Sequence, residues 1–336
     1  MSAATTASAT RSPVASDGDP KAAQLAAETG RDGGFVRQPN AFRDRITADG
    51  SSGFPAEAGR YHVYVSLACP WAHRVLIVRA LKGLEEAISV SVVDPIRDER
   101  GWAFRESADG SFGPDPVNAF RFLSEAYLAT DPTFEGRYTV PCVWDRHSGR
   151  LVTNDFHTIP HQLETEFDAF ATNAIDLYPE PLRADIDAVN AEVYEHVNNG
   201  VYKAGFATSQ ESYEEAFDAL FRTLDRLEDR LSRQRFLVGD AVTDADVRLF
   251  PTLVRFDAVY HGHFKCNLRR LVDYPNLWGY ARDLFQRPAF GGTTDFDHIK
   301  RHYYQTHDKL NPSRIVPKGP AVDWLDPHGR DRLDER

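Results

Sequence analysis

Cys69 is the residue of this chain best placed to do chemistry. It stands in Leu67-Ala68-Cys69-Pro70-Trp71-Ala72-His73-Arg74, between a short β-prone run and a helical pattern. Proline suits the first turn of a helix, because the N–H it lacks would have no partner there. A cysteine just before it meets free backbone N–H groups and the positive end of the helix dipole, and both favour thiolate over thiol. His73 and Arg74, one turn on, add positive charge in this reading. The thiolate is the nucleophile, so the placement points to covalent sulfur chemistry. The plain alternative is an inert buried thiol. Position 72 narrows the reaction class: a dithiol oxidoreductase would carry a second cysteine there, and this chain has Ala72. Any mixed disulfide on Cys69 then needs an outside thiol to resolve it.

Other candidates are less specific. Val140-Pro141 precedes a strand, and a cis bond there would turn a backbone N–H and C=O toward a peptide-like ligand. Cys142, flanked by apolar residues, reads as core. The glycine-bounded run 199–206 holds one phenol, Tyr202. The run 260–266 combines Tyr260 with His261, His263 and Cys266, a spacing like that of metal ligands, but no second ligand cluster lies nearby and no metal is expected. Tyr303, in His302-Tyr303-Tyr304, is a neutral phenol able to donate a hydrogen bond in an active site. Taken singly, each tyrosine reads as packing. Phosphate-loop, G-x-S-x-G, H-E-x-x-H and dinucleotide fingerprints are missing.

The elements that must position these residues follow from periodicity. Residues 61–66 and 88–93 are β-prone, the second alternating and β-branched. Residues 71–81 form a helix stopped by Gly83. A long Gly- and Pro-containing loop covers 94–118, and 119–129 reads as helical. Strands are expected at 139–145 and 151–153, separated by a turn at 147–149. Asn154 or Asp155 is placed to cap the next helix, which Pro160 is placed to kink. The order is β-α-β-α-β-β-α. Everything beyond is helical: Phe217, Leu220, Phe221, Leu224, Leu227 and Leu231 share one face of a helix over 211–231. Thr243 and Asp246 resemble a capping box. A further helix starts near Tyr274 and stops by Pro288. The expected units are a flexible tail over 1–40, an α/β domain over 41–170, an all-helical domain over 180–311 and a coil tail over 312–336.

Composition bounds the setting. Of 336 residues, 42% are apolar and 26% charged, the profile of a soluble globular protein. Fifty acidic residues against 39 basic ones, a net charge of −11, argue against nucleic acid or an anionic membrane surface as the main partner. Seven lysines leave 32 arginines, a bias that fits a salt-adapted host or a GC-rich genome. Three cysteines make no disulfide framework and suit a reducing cytoplasm. No apolar run approaches the ~20 residues of a membrane span, and the Ala/Ser/Thr-rich start has no apolar core of a signal peptide.

Several separate motifs, in register over about residues 40–320, resemble the glutathionyl-hydroquinone reductases, the xi-class, cysteine-type glutathione transferases. They are the segment 61–74, Asp98-Glu99-Arg100-Gly101-Trp102-Ala103-Phe104, Val140-Pro141, the run 198–207, Arg255-Phe256-Asp257, His263-Phe264-Lys265-Cys266-Asn267, residues 276–280 and residues 296–304. The resemblance implies a thioredoxin-like N-terminal domain, an all-α glutathione-transferase-type C-terminal domain and a homodimer. It implies that a glutathionyl-hydroquinone and glutathione, or a related low-molecular-weight thiol, give hydroquinone and a disulfide. Cys69 would attack the thioether sulfur, and a second thiol would resolve the mixed disulfide. Trp102, Val140 and Pro141 would hold the peptide-like thiol. Tyr202, Tyr303 and Tyr260 would be phenols near the hydroquinone.

One departure stands out. The family carries a Glu-Ser pair after the fourth strand for the γ-glutamyl end of glutathione. Here the matching residues are Asp155 and Phe156, which points to a smaller thiol such as γ-glutamylcysteine. The rival readings are a monothiol glutaredoxin-like or dehydroascorbate reductase, which needs no tyrosines, and a non-enzymatic thiol-binding stress protein, which needs no reactive thiolate.

Overall fold

The computed structural model describes residues 28–98 and 100–334. Its first half is built on a four-stranded sheet of order β2-β1-β3-β4. Strand β1 (Tyr61–Val65) pairs parallel with β2 (Ile88–Val92) and antiparallel with β3 (Cys142–Asp145), which pairs antiparallel with β4 (Arg150–Thr153). Central β1 is buried along its whole length, as a strand covered on both faces must be. Tyr61, Val63 and Val65 pack with helices α1 (Pro70–Lys82) and α3 (Ile159–Thr165), while Tyr64, Cys142, Trp144 and Leu151 pack with α2 (Leu123–Thr130). His62 survives inside the sheet because its two ring nitrogens meet the Ser89 and Ser91 hydroxyls at 2.7 and 2.9 Å. Gly83 ends α1 at φ 62°, where a Cβ would also strike the Thr172 hydroxyl.

The second half is helical: α4 (Arg183–Val193), α5 (Gly200–Gly205), α6 (Gln210–Leu231), α7 (Asp244–Arg255), α8 (His261–His263), α9 (Pro275–Phe285), α10 (Pro288–Gly291) and α11 (Phe296–Thr306). Two joints are π-turns, Tyr194–Asn198 before α5 and Phe256–Tyr260 before α8. The fold is thus a thioredoxin-like α/β unit followed by an all-α unit. The amphipathic face read in 211–231 is buried except for Phe217, which is half-buried. The Thr243–Asp246 capping box forms, and the buried Asp246 carboxylate also accepts from the Leu237 N–H and the Tyr280 hydroxyl.

Some local expectations are corrected. Helix α2 starts at Leu123 rather than 119, because Ala119 has φ 55° and Phe122 bridges to Ala103. Strand β3 starts at Cys142, after Pro141, which has no N–H for the ladder. Thr158, not Asn154 or Asp155, precedes α3, and Pro160 falls in its first turn and so does not kink it. Residues 1–27 lie outside the described residues, but 28–40 are no free tail. Phe35 packs on Phe206 at 5.5 Å between ring centroids, and Arg37 reaches the helical half. The stretch beyond 311 is coil except for a turn at Asp331–Leu333, yet it docks Trp324 against Trp278 and Phe285. Among the described residues no helix is long and apolar enough to cross a membrane.

Candidate active site

Strand β1 runs into the loop 66–69, and Cys69 forms the cap of α1 with an extended backbone. Cys142 and Cys266 are sealed in the core, whereas Cys69 is half-buried and lines a cavity of about 400 Å³ between the two halves. Its thiol donates to the Val140 carbonyl at 3.4 Å, and the Val140–Pro141 bond is cis. The loop is held from the other half. Arg255, fully buried at the end of α7, donates to the carbonyls of Ala68 at 3.0 Å and Leu67 at 2.9 Å, and its Nη1 meets His73 Nδ1 at 3.0 Å.

The electrostatics correct the first reading of Cys69. Burial pushes the thiol up, against the Ala72 and Trp71 N–H groups and the charges of Arg255 and Arg37. Desolvation outweighs the helix start, so the resting group is the thiol. His73 does not supply the expected charge, whereas Arg74 acts on Cys69 only through space. His73 is buried and held neutral by desolvation and by Arg255, with Nε2 on the Thr293 hydroxyl. Arg74 points away to Asn198 and the Arg248 carbonyl, its guanidinium over the Trp71 ring.

Of the predicted site residues, Cys69, Trp102, Val140, Phe156, Tyr202 and Tyr303 line the cavity together. Tyr260 does not line it. It stands behind, 3.0 Å from the Tyr303 hydroxyl, which in turn bonds the Tyr202 hydroxyl at 2.5 Å. Burial raises all three phenols, so they stay protonated and act as donors. Trp102 stacks on His302 at 5.0 Å. Phe156 packs on Trp71 at 4.5 Å. Pro141 and Asp155 are outside the lining. The Asp155 carboxylate accepts from the Asn40 amide at 2.8 Å and the His157 N–H at 3.2 Å, so it is already engaged.

Several lining residues had no signal in the sequence. Arg37 donates to Asn199 at 2.8 Å and lies 5.0 Å over both Trp71 and Tyr202. Arg97 lies 5.1 Å over Trp102, and burial lowers its pKa to about 9. Arg137 pairs with Glu28 at 2.7 Å. Three guanidinium groups against two carboxylates, Glu28 and the exposed Glu135, make a cationic wall in a protein of net charge −11. An apolar floor, phenol donors, one accessible sulfur and that wall suit an anionic thiol joined to an aromatic ring. Arg255 stands in a family motif but nothing local gives its role, and nothing local marks the arm that carries Arg37, since their partners are far away in the chain. His261, His263 and Cys266 do not converge, and among the described residues no three His, Cys, Asp or Glu side chains form a metal-ligand group.

Comparison with known proteins agrees with this geometry. Residues 68–166 match the glutathione S-transferase N-terminal domain family and residues 210–283 the C-terminal domain family. The chain is 50% identical over 305 residues to the glutathionyl-hydroquinone reductase YqjG of Escherichia coli, covering 89% of this chain and 93% of that protein. The glutathione-bound structure of YqjG superposes with a TM-score of 0.84, covering 87% of this chain and 96% of that one at 50% identity. A Xi class glutathione transferase from Natrialba magadii gives 0.85 at 49% identity, covering 87% and 89%.

Proposed function

The chain belongs to the xi-class glutathione transferases, the family of the glutathionyl-hydroquinone reductases, and on that premise we propose how it works. It is an enzyme that reduces glutathionyl-hydroquinones to hydroquinones with glutathione as co-substrate. In this reading the α/β part, 41–170, takes the thiol and the helical part, 180–311, takes the aromatic ring.

The observation that carries the mechanism is the meeting of one accessible sulfur with two protonated phenols in one cavity. Cys69 loses its proton and attacks the thioether sulfur. In the keto tautomer of the hydroquinone, whose sulfur-bearing carbon has already taken its proton, the new S–S bond forms as the C–S bond breaks, and the electron pair passes through the ring to the quinone-derived oxygen, which then takes a proton from solvent. Tyr202 and Tyr303 donate to the quinone-derived oxygen while charge develops there. Tyr260 backs Tyr303 and keeps it oriented. A second thiol attacks the glutathione sulfur of the mixed disulfide and frees Cys69. Trp102 and the Val140 backbone hold the peptide-like part, with Pro141 setting the course of that backbone, and Phe156 borders it. Asp155 must leave Asn40, or act through it, to meet an α-ammonium. The phenols favour this reading over a glutaredoxin-like or dehydroascorbate reductase. We place the enzyme in the reducing cytoplasm, as a homodimer.

The test is a steady-state assay of glutathionyl-hydroquinone consumption with each cysteine replaced by alanine. Cys69→Ala should abolish turnover, and Cys142→Ala and Cys266→Ala should keep most of it. Equal losses from all three would remove Cys69 as sole nucleophile.

A further inference from the structure

The sulfur-bearing ring carbon must take a proton before the C–S bond breaks, and the phenol pair Tyr202 and Tyr303 is committed to the quinone-derived oxygen. A second donor lies on the same wall. His307, just after α11, lines the cavity with its ring centroid 5.2 Å from that of Tyr303 and 5.3 Å from that of Phe206. Its Nδ1 is 3.1 Å from Nε2 of His263. Among the described residues its Nε2 has no protein partner. The neighbouring His302 differs: its Nδ1–H is committed to the Pro95 carbonyl at 2.7 Å, which fixes its tautomer.

Charged and titratable neighbours keep the pair neutral. Burial, helped by His302, His263, Arg97 and Arg137, holds His307 well below the usual histidine range. Burial and Lys265 lower His263 to about 4. Two neutral rings in contact share one proton between the facing nitrogens. With that proton on His263 Nε2, His307 carries its own on Nε2, toward the cavity.

Resting on the function proposed above, we propose that His307, backed by His263, delivers the proton that the sulfur-bearing ring carbon takes as the hydroquinone O–H proton leaves to solvent, forming the keto tautomer from which the C–S bond breaks. The Nε2 proton of His307 goes to carbon, and the His263 Nε2 proton moves to His307 Nδ1. Water reprotonates His263 at Nδ1, and the hydroquinone O–H proton given up to solvent restores the balance. Both rings end neutral, as opposite tautomers, and no outside oxidant or reductant is needed.

The experiment compares a glutathionyl-hydroquinone with hydroxyethyl disulfide, whose reduction protonates no carbon. In His307→Gln, kcat on the conjugate should fall by about 10²-fold, a usual loss for a general acid, with KM little changed and disulfide reduction kept. His263→Gln should give a smaller loss of the same selectivity. Equal losses on both substrates mean packing and overturn the relay, as does a full-rate His307→Gln. Where His307→Gln does not fold, His263→Gln decides: an absent or unselective loss overturns the proposal. A wild type that reduces the disulfide but not the conjugate removes the functional reading, and the relay with it.

Discussion

Replacing Phe156 by serine tests how the cavity chooses its thiol. The ring is 7% exposed, packs on Trp71 at 4.5 Å and on His157 at 4.1 Å, and borders the cavity. Deleting a buried phenyl group costs about 3–5 kcal/mol when a dry void remains. Here the vacated space opens into the cavity and fills with water, so the transfer loss alone applies, roughly 1.5–3 kcal/mol. Losing the Arg37 guanidinium, 5.8 Å over the ring, adds about 0.5–1 kcal/mol. Phe156→Ser should therefore fold but melt earlier. For the ligand the sign reverses. A buried γ-glutamyl α-amino or carboxylate group without a partner costs roughly 1–3 kcal/mol. A serine hydroxyl that supplies one should tighten glutathione by about one to two decades. γ-Glutamylcysteine carries the same γ-glutamyl end and should gain alongside the tripeptide. Calorimetric titration of both proteins with both thiols reads the affinities, and a thermal melt reads the cost. A wild type that already prefers glutathione, with a variant that binds it no better, refutes the reasoning and makes the Asp155-Phe156 pair neutral.

Two further outcomes concern the reacting groups. Because burial raises Cys69, its alkylation by iodoacetamide should keep climbing with pH, about tenfold per unit, past the roughly 8.5 of a free cysteine. The thiolate formed should be the more nucleophilic for its higher pKa. A plateau at or below the free-cysteine value would restore the activated thiolate of the first reading. Tyr202→Phe and Tyr303→Phe should each slow hydroquinone release by about 10²–10³, the usual loss of one oxyanion donor, and leave hydroxyethyl disulfide reduction nearly intact. A uniform loss on both substrates would assign the phenols to packing.

The strand and helix order up to residue 165, the amphipathic face of α6 and the Thr243 capping box were legible because each depends on residues within a few positions of one another. Cys69 was legible for the same reason: a cysteine before a proline at a strand-to-helix junction is a local pattern. Tyr202 and Tyr303 are 101 residues apart, and the phenol pair was recognisable in the sequence only through family resemblance. The remainder was decided in three dimensions. The thiol's upward shift comes from desolvation by both halves of the molecule, which no local pattern reports. Arg255 grips a loop 187 residues earlier, and Arg37 arrives on an arm that composition assigned to a tail. The π-turns before α5 and α8 add a residue to one turn each and so reset the faces that carry Tyr202 and His263. Local propensity dictates where an element starts and which side is apolar. Which distant polar groups meet in a site, and how much water they lose on meeting, is set only when the two halves close on each other.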